Sequence, residues 1–346
     1  MIVLNDKKIG KGEKAFLVAE VAQAHDGSLG AAHSFIDAVS KSGVDAVKFQ
    51  THIASEESTL DEKFRVQFSK QDLTRYDYWK RMEFTESQWR GLAQHAKDVG
   101  LEFISTPFSI KAFEILDDLD MPFWKVPSGE IKSSSLLDRM IATKKPIVMS
   151  TGMSSRKEIN DNVKILKESG NAFVILQCTS KYPTPYAQVG LNVLKELHEE
   201  HGCLVGLSDH SGTIYPALAA MTNGASFIEV HVALHKHQFG PDTSSSISLD
   251  ELSILSEASK AFHDMNDSPV DKDKMAEELS LYRDLFFKSI ALKKDLQSGV
   301  VLRKEMLTMK KPGTGISESE LEKIIGKTLI RDVSANRLLT DEDFKE

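Results

Sequence analysis

Eight short apolar runs recur along the chain, and a stretch with helical character follows nearly every one. The runs span residues 16–20, 45–50, 102–106, 123–128, 146–151, 173–178, 204–209 and 227–232. Most are apolar almost throughout and are bounded by Gly, Pro or Ser, which is typical of parallel strands covered by helices. Eight strand–helix repeats predict a (β/α)8 barrel, a fold in which the C-terminal ends of the strands converge on one active site.

The length of the chain leaves room for a second, smaller module. It has 346 residues, whereas a barrel of this kind needs roughly 250. We predict a catalytic barrel over residues 1–265, a polar linker over 266–284 and a small module over 285–346, where short strands and turns replace helices. A module of about 60 residues buries little core of its own, so we expect it to dock on another surface.

Composition excludes several classes of partner. The formal net charge of -8 gives no general attraction to nucleic acid or to an anionic membrane surface. No apolar run approaches the roughly 20 residues of a membrane span, and the first residues show no secretory signal. Cys178 and Cys203 lie in predicted core strands and outside any Cys-x-x-Cys pair. Buried, reduced thiols favour a cytoplasmic location.

Two histidines end neighbouring runs of the predicted barrel. His210 and His231 stand at the C-terminal ends of the seventh and eighth runs, and adjacent strands lie about 4.8 Å apart. A single histidine at such a place is commonly a core residue, but two on adjacent strand ends favour a shared divalent metal. Glu20 is a candidate further ligand, and an open, oxygen-rich sphere suits Mn²⁺ or Mg²⁺ better than structural Zn²⁺. The pattern does not choose between these metals.

Two lysines lie within apolar runs, where a charge is costly unless it is paired. Lys48 and Lys125 belong to the second and fourth runs. One interpretation is a structural ion pair with Glu20 or Glu130, and the other is a site for an anionic substrate. Serines at four consecutive strand ends favour the second interpretation, because cations and hydroxyls together recognise phosphate. These serines are Ser128, Ser150, Ser180 and Ser208.

The segment 51–84 is long for a connection inside a barrel. Long connections on the C-terminal face usually shape the active site. This one carries several aromatic and basic residues, among them Arg75, Tyr78 and Trp79. The alternative is a surface excursion with a small core of its own.

Several segments of the chain are similar, in the same order, to motifs of one enzyme family. They are residues 19–28, 47–50, 105–108, 125–130, 150–153, 178–185, 206–211, 229–231, 240–242 and 311–315. In these motifs the chain resembles the sialic acid synthases, which condense phosphoenolpyruvate with an N-acetylated hexose. The resemblance covers nearly the whole chain and implies a C-terminal antifreeze-like (SAF) domain. It also implies a domain-swapped homodimer, in which the small domain of one subunit covers the active site of the other.

The resemblance implies a role for each candidate residue. His210 and His231 would hold Mn²⁺, and Glu20 and Glu130 would be the catalytic carboxylates. Phosphoenolpyruvate would be bound by Lys48, Thr106, Lys125, Ser128, Ser150, Ser180 and Ser208. The sugar would be bound by Gln50, Tyr182, Asp242, Phe287 and Lys311.

The chain departs from the family pattern at three of these segments. Ala24 replaces a usual Asn, and Ser180 stands where Asn is frequent. Lys311 replaces the usual Arg, so a point charge replaces a bidentate fork. The acceptor therefore stays open between N-acetylmannosamine and the sugars that lead to legionaminic, pseudaminic and deaminated nonulosonic acids. A metal-dependent barrel aldolase and a non-catalytic binding protein are the alternative functions.

Overall fold

The computed structural model describes residues 1–5, 7–64 and 66–345. These residues form two compact units, Met1–Asp267 and Ser268–Glu346. In the part of the chain that the structure describes, no helix is both long enough and apolar enough to cross a membrane.

Eight parallel strands form the centre of the first unit, as the sequence predicts. A short antiparallel hairpin, β1 (Ile2–Leu4) and β2 (Lys7–Ile9), precedes them. The barrel strands are β3 (Phe16–Ala22), β4 (Ala46–Thr51), β5 (Glu102–Pro107), β6 (Trp124–Val126), β7 (Ile147–Ser150), β8 (Phe173–Cys178), β9 (Leu204–Asp209) and β10 (Phe227–Ala233). Their order is β5-β4-β3-β10-β9-β8-β7-β6, so the last strand pairs with the first and the barrel is nearly closed. The predicted strands differ from these only at their ends.

Helices surround the barrel, and their starts are encoded locally. They are α1 (Leu29–Ser40), α2 (Ala54–Glu57), α3 (Arg75–Met82), α4 (Glu86–Asp98), α5 (Ile110–Asp117), α6 (Ser134–Ala142), α7 (Arg156–Ser169), α8 (Leu191–His201), α9 (Tyr215–Thr222) and α10 (Leu249–Asp267), the last preceded by the two-residue strand β11 (Ile247–Ser248). A capping box is present at α4, where Thr85 and Gln88 satisfy each other's backbone N–H groups. Gly100 follows at φ +81°, a conformation that stops the helix at little cost for glycine.

The interior of the barrel is apolar at one end only. Phe16 stacks on Phe227 with ring centroids 5.5 Å apart, and Phe123 meets both rings edge-on. Side chains from the β1–β2 hairpin, including Ile2 and Ile9, belong to the same buried cluster. Burying each such side chain contributes about 1.5–3 kcal/mol. Apolar packing therefore fills the N-terminal end of the strands, and the C-terminal end is left to polar residues.

The second unit consists of short elements around its own core. They are α11 (Lys272–Glu278), α12 (Ser280–Phe286), β12 (Ser289–Leu292), β13 (Leu307–Lys310) and α13 (Leu321–Ile324), with β12 and β13 antiparallel. Ile290, Leu302 and Leu329 are among the buried residues of that core. Two of the helices, α11 and most of α12, lie in the segment 266–284, so this polar stretch is largely helical. The division into residues 1–265, 266–284 and 285–346 stays a prediction.

Candidate active site

A cavity of about 780 Å³ opens at the C-terminal end of the barrel strands. Seven of the eight strands contribute lining side chains at or near their ends. Those side chains are Glu20, Lys48, Gln50, Lys125, Ser150, Cys178, Ser208, Glu229 and His231. The sequence prediction of a site at this end of the barrel agrees with this arrangement.

Most of the predicted site residues meet in this cavity. Its lining includes Glu20, Lys48, Gln50, Lys125, Ser128, Glu130, Ser150, Ser180, Tyr182, Ser208, His210, His231 and Asp242. Thr106 is fully buried outside the lining, where its hydroxyl accepts a hydrogen bond from Lys48 Nζ at 3.2 Å. Phe287 and Lys311 belong to the second unit. There Phe287 is 54% exposed and Lys311 Nζ lies 5.0 Å from the centre of the Phe286 ring.

Two lysines and two glutamates form a buried charge network at the base of the cavity. Lys48 Nζ is in close contact with Glu20 Oε2 and lies 3.5 Å from Glu229 Oε2. Lys125 Nζ lies 3.5 Å from Glu229 Oε1. The carboxylate that joins both lysines is therefore Glu229, rather than the Glu130 considered as a partner from the sequence. The formal charges cancel, which is how four buried charges are tolerated.

Burial and pairing shift the pKa values of these groups in different directions. Burial raises the pKa of Glu20 to about 7, although Lys48 opposes the change. For Glu229, burial is outweighed by the two lysines, which hold its pKa below the ordinary value. Burial lowers the pKa of Lys125 despite the attraction of Glu229. Burial therefore favours the protonated form of Glu20, and the contact with Lys48 favours its carboxylate.

The strand-end hydroxyls are arranged around Gly152. Lys125 Nζ donates to Ser150 Oγ at 2.8 Å, and the Gly152 N–H donates to Ser128 Oγ at 2.9 Å. A Cβ atom at residue 152 would stand only 2.3 Å from Ser180 Oγ and 2.9 Å from Ser128 Oγ. Glycine is thus required for these hydroxyls to converge. In the sequence Gly152 is visible only as part of a motif, since its crowding depends on residues distant along the chain.

The two histidines lie side by side, as predicted from their strand ends. The ring centroids of His210 and His231 are 5.1 Å apart, and the Tyr182 ring lies 4.3 Å from that of His210. Cys178 Sγ is 3.8 Å from His210 Nδ1. Among residues 1–5, 7–64 and 66–345, no group of three or more His, Cys, Asp or Glu side chains is arranged to hold a metal ion. Two imidazoles facing a polar cavity fit a cation that takes its other ligands from water or substrate.

The long connection after β4 both contributes to the cavity wall and has a small core of its own, so both interpretations of this segment are correct. It has its own small core, in which Tyr78, Trp79 and Met82 pack together with Phe64 and Phe68. Side chains of the same segment, among them His52, Glu57 and Trp79, also line the cavity. Neither His52 nor Glu57 was a candidate from the sequence, because a lone His or Glu in a polar connection carries no periodic or motif signal.

Comparison with known proteins defines the class. Residues 35–270 match the NeuB family and residues 287–345 match the SAF domain. The chain is 33% identical to N,N'-diacetyllegionaminic acid synthase of Legionella pneumophila, over 98% of this chain and 97% of the relative. It is 29% identical to human N-acetylneuraminate-9-phosphate synthase, over 96% of this chain and 94% of the relative.

A solved structure agrees with this similarity. The N-acetylneuraminic acid (sialic acid) synthetase of Leptospira borgpetersenii superposes with a TM-score of 0.72 at 25% identity, covering 82% of this chain and 95% of that one. The fold and the matched residues therefore define a barrel enzyme of the phosphoenolpyruvate-dependent nonulosonic acid synthases. The chain belongs to the NeuB family and carries a C-terminal SAF domain.

Proposed function

We propose that this protein condenses phosphoenolpyruvate with the open-chain form of an N-acetylated hexose and releases phosphate, giving a nonulosonic acid. The observation that carries the proposal is the pair of buried lysines beside converging hydroxyls at the base of the barrel cavity. Lys125 and Ser150 are in hydrogen-bond contact, and Lys48 contacts Thr106. Cations and hydroxyls of this kind suit an anion that carries both a phosphate and a carboxylate.

We assign phosphoenolpyruvate to the lysine side of the cavity. Its charged groups would be held by Lys48, Lys125 and the Gly152 N–H, with hydroxyls from Ser128, Ser150, Ser180 and Ser208 and with Thr106 supporting Lys48. Phosphoenolpyruvate would then compete with Glu20 and Glu229 for the lysines, so binding would loosen the ion pairs of the substrate-free protein. Fixing two substrates in reacting geometry is the larger contribution to a bimolecular step.

The acceptor sugar would lie on the histidine side. His210 and His231 would hold Mn²⁺, or Mg²⁺ in its place, and the bound cation would polarise the aldehyde oxygen of the sugar. Gln50, Tyr182 and Asp242 line this side of the cavity and would contact the sugar. In a domain-swapped homodimer, Phe287 and Lys311 would reach the sugar bound by the partner. We place the enzyme in the cytoplasm, where phosphoenolpyruvate is available.

Glu20 is the proposed base. C3 of phosphoenolpyruvate attacks the aldehyde carbon, positive charge develops at C2, and water adds there before phosphate leaves with its bridging oxygen. Glu20, with a pKa of about 7, can take the proton from this water at neutral pH. Burial also raises the pKa of Glu130, which makes Glu130 the second candidate for proton transfer.

Three acceptors suit this chemistry. They are N-acetylmannosamine, its 6-phosphate and a 2,4-diacetamido-trideoxyhexose, and the third would make the protein a legionaminic or pseudaminic acid synthase. Mass spectrometry after incubation with phosphoenolpyruvate, Mn²⁺ and a panel of these sugars tests the proposal. We expect one acceptor to give the mass of a nonulosonic acid together with equimolar phosphate.

Two controls make the result specific. Dialysis against EDTA should abolish product formation, and Mn²⁺ should restore it better than Zn²⁺, while the His231→Ala variant should be inactive under both conditions. A folded, Mn²⁺-treated wild-type protein that releases no phosphate with any of these sugars would contradict the proposal. Product formation from pyruvate instead of phosphoenolpyruvate would identify a barrel aldolase.

A further inference from the structure

His52 lies on the cavity wall between two aromatic rings. Its ring centroid is 3.9 Å from that of Trp79 and 4.3 Å from that of Phe108, and both interplanar angles are 18°. The residue is only 6% exposed. Because both faces of the imidazole are covered, its polar contacts are confined to the two nitrogens in the plane of the ring.

Each ring nitrogen has a close polar neighbour. Nδ1 of His52 lies 2.6 Å from Glu57 Oε1, and Nε2 lies 2.8 Å from Gln23 Nε2. Gln23 Nε2 also donates to Gln50 Oε1 at 2.5 Å. Gln50 Nε2 in turn donates to Glu20 Oε1 at 3.0 Å. A continuous chain of hydrogen bonds thus runs from Glu57 to the proposed base, Glu20.

The direction of each bond in this chain follows from its amides. Gln23 turns its Nε2 toward both Gln50 Oε1 and His52 Nε2, and an amide nitrogen has two hydrogens to donate and no lone pair to accept with. Gln50 Oε1 also lies near His52 Nε2, at 3.2 Å, but it already accepts from Gln23 at 2.5 Å, and the Gln23 amide is the closer neighbour of Nε2 at 2.8 Å. On this geometry His52 Nε2 accepts from Gln23, and the ring hydrogen is on Nδ1, where Glu57 Oε1 receives it. With its carbonyl oxygen held by Gln23, Gln50 can only direct its NH₂ group toward Glu20.

We propose that His52 and Glu57 are positioning residues, which fix the amide of Gln50 so that one N–H is directed to Glu20 and the other is offered to an oxygen of the acceptor sugar. The sugar's role rests on the proposed function, whereas the hydrogen-bond chain itself does not. In this arrangement Gln50 selects an acceptor that presents a hydroxyl or acetamido carbonyl oxygen at this point. Reversal of the amide would instead set two oxygens, of Gln50 and Glu20, against each other.

The surroundings of Glu57 are consistent with a neutral hydrogen-bond acceptor. Burial, followed by the nearby carboxyl groups of Glu62 and Glu83, raises the pKa of Glu57 to about 9, although Arg75 opposes the change. Burial and then Arg75 lower the pKa of His52 to about 3. Within the described ranges, Glu57 Oε2 is buried without a hydrogen-bond partner. Glutamine is therefore an isosteric replacement that keeps the acceptor oxygen, whereas leucine removes it.

The first test reads the imidazole directly in the full-length protein. In ¹⁵N-histidine NMR spectra at pH 7, the signals of His52 are those lost in His52→Phe, a variant that keeps a ring between Trp79 and Phe108. We expect the neutral tautomer with the hydrogen on Nδ1, in wild type and in Glu57→Gln. The opposite tautomer, or a charged ring, would overturn the proposal whether or not the protein turns over any sugar.

The second test separates positioning from simple stabilisation. We expect kcat/KM for the acceptor to fall about tenfold or more in His52→Phe and Glu57→Leu, as for the loss of one oriented hydrogen bond. In both variants KM for phosphoenolpyruvate should stay within about twofold, and Glu57→Gln should retain wild-type kinetics. Glu114 is an exposed residue on the outer helix α5. The variant Glu114→Leu is therefore the control for the loss of a carboxylate away from the cavity.

The outcomes distinguish the two proposals. Equal losses in Glu57→Gln and Glu57→Leu, or no loss in His52→Phe, would overturn the positioning role. A wild-type protein with the expected tautomer and no turnover would count against the proposed function and against the sugar's part in this inference, and would leave the hydrogen-bond chain established.

Discussion

A single buried carboxyl group can make stability depend on pH. Burial and the neighbouring carboxyl groups of Glu62 and Glu83 raise the pKa of Glu57 from its ordinary value of 4.5 to about 9. Between these two values the folded state binds more protons than the unfolded state, so the free energy of unfolding falls as pH rises. We expect Glu57→Gln and wild type to be equally stable within about 0.5 kcal/mol at pH 4.5, and the advantage of the variant to grow by up to about 1.4 kcal/mol per pH unit from there to pH 8. Urea unfolding at both pH values measures this, and a difference independent of pH would contradict it.

A substitution of Lys125 tests whether this residue binds the phosphoenolpyruvate anion. Lys125→Met keeps most of the apolar stem and removes the charge that faces Ser150 and Glu229. Loss of a charge-assisted contact costs about 1.5–3 kcal/mol, so KM for phosphoenolpyruvate should rise at least tenfold, and the melting temperature should fall because Glu229 loses a partner. Lys132→Met, a change at an exposed lysine, is the control. An unchanged KM would show that Lys125 serves the buried ion pairs alone.

Close packing between strands gives a prediction at the scale of elements. Gly206 lies on β9, where a Cβ atom would stand 2.2 Å from the carbonyl oxygen of Phe227 on the neighbouring strand. Gly206→Ala should therefore destabilise the barrel by at least about 1–3 kcal/mol. At Gly91 on α4, a Cβ atom would meet open space, with no neighbour from outside the helix within 4 Å, and Gly91→Ala should stabilise the protein by up to about 1 kcal/mol. Chemical denaturation of both variants measures the two changes in the free energy of unfolding. Changes of similar size and the same sign would contradict the explanation from close packing.

Elements whose signals are local were predictable from the sequence. The eight strands are continuous apolar runs, and α4 carries its capping box within four residues. The histidine pair was predictable as well, because strand ends on one face of a barrel must converge. Glu229 and Gly152 lie in segments that resemble family motifs but were not candidate site residues, and the His52–Glu57 pair was not found at all. Glu229 sits inside an apolar strand like many structural residues, and the roles of the others depend on contacts between distant segments.

At the scale of the whole molecule, the prediction to test is that the subunits of a homodimer exchange their SAF domains. If the SAF domain of one subunit serves the active site of its partner, His231→Ala and Lys311→Ala disable different parts of each site. A heterodimer of the two variants would hold one site with both defects and one with neither. We expect the mixture, after subunit exchange, to be more active than the sum of the separate variants. Exchange confirmed by native mass spectrometry without any regain of activity would contradict the swapped arrangement.

Cleavage of the C–O bond of phosphoenolpyruvate is the step that separates the proposed synthase from a metal-dependent aldolase on the same barrel. Phosphoenolpyruvate labelled with ¹⁸O at the bridging position, incubated with the full-length protein, Mn²⁺ and the accepted sugar, locates the broken bond. We predict that the label appears in the released phosphate, as measured by mass spectrometry or by the isotope shift in ³¹P NMR. Phosphate without the label, or no phosphate from the wild-type protein with any sugar of the panel, would contradict this function.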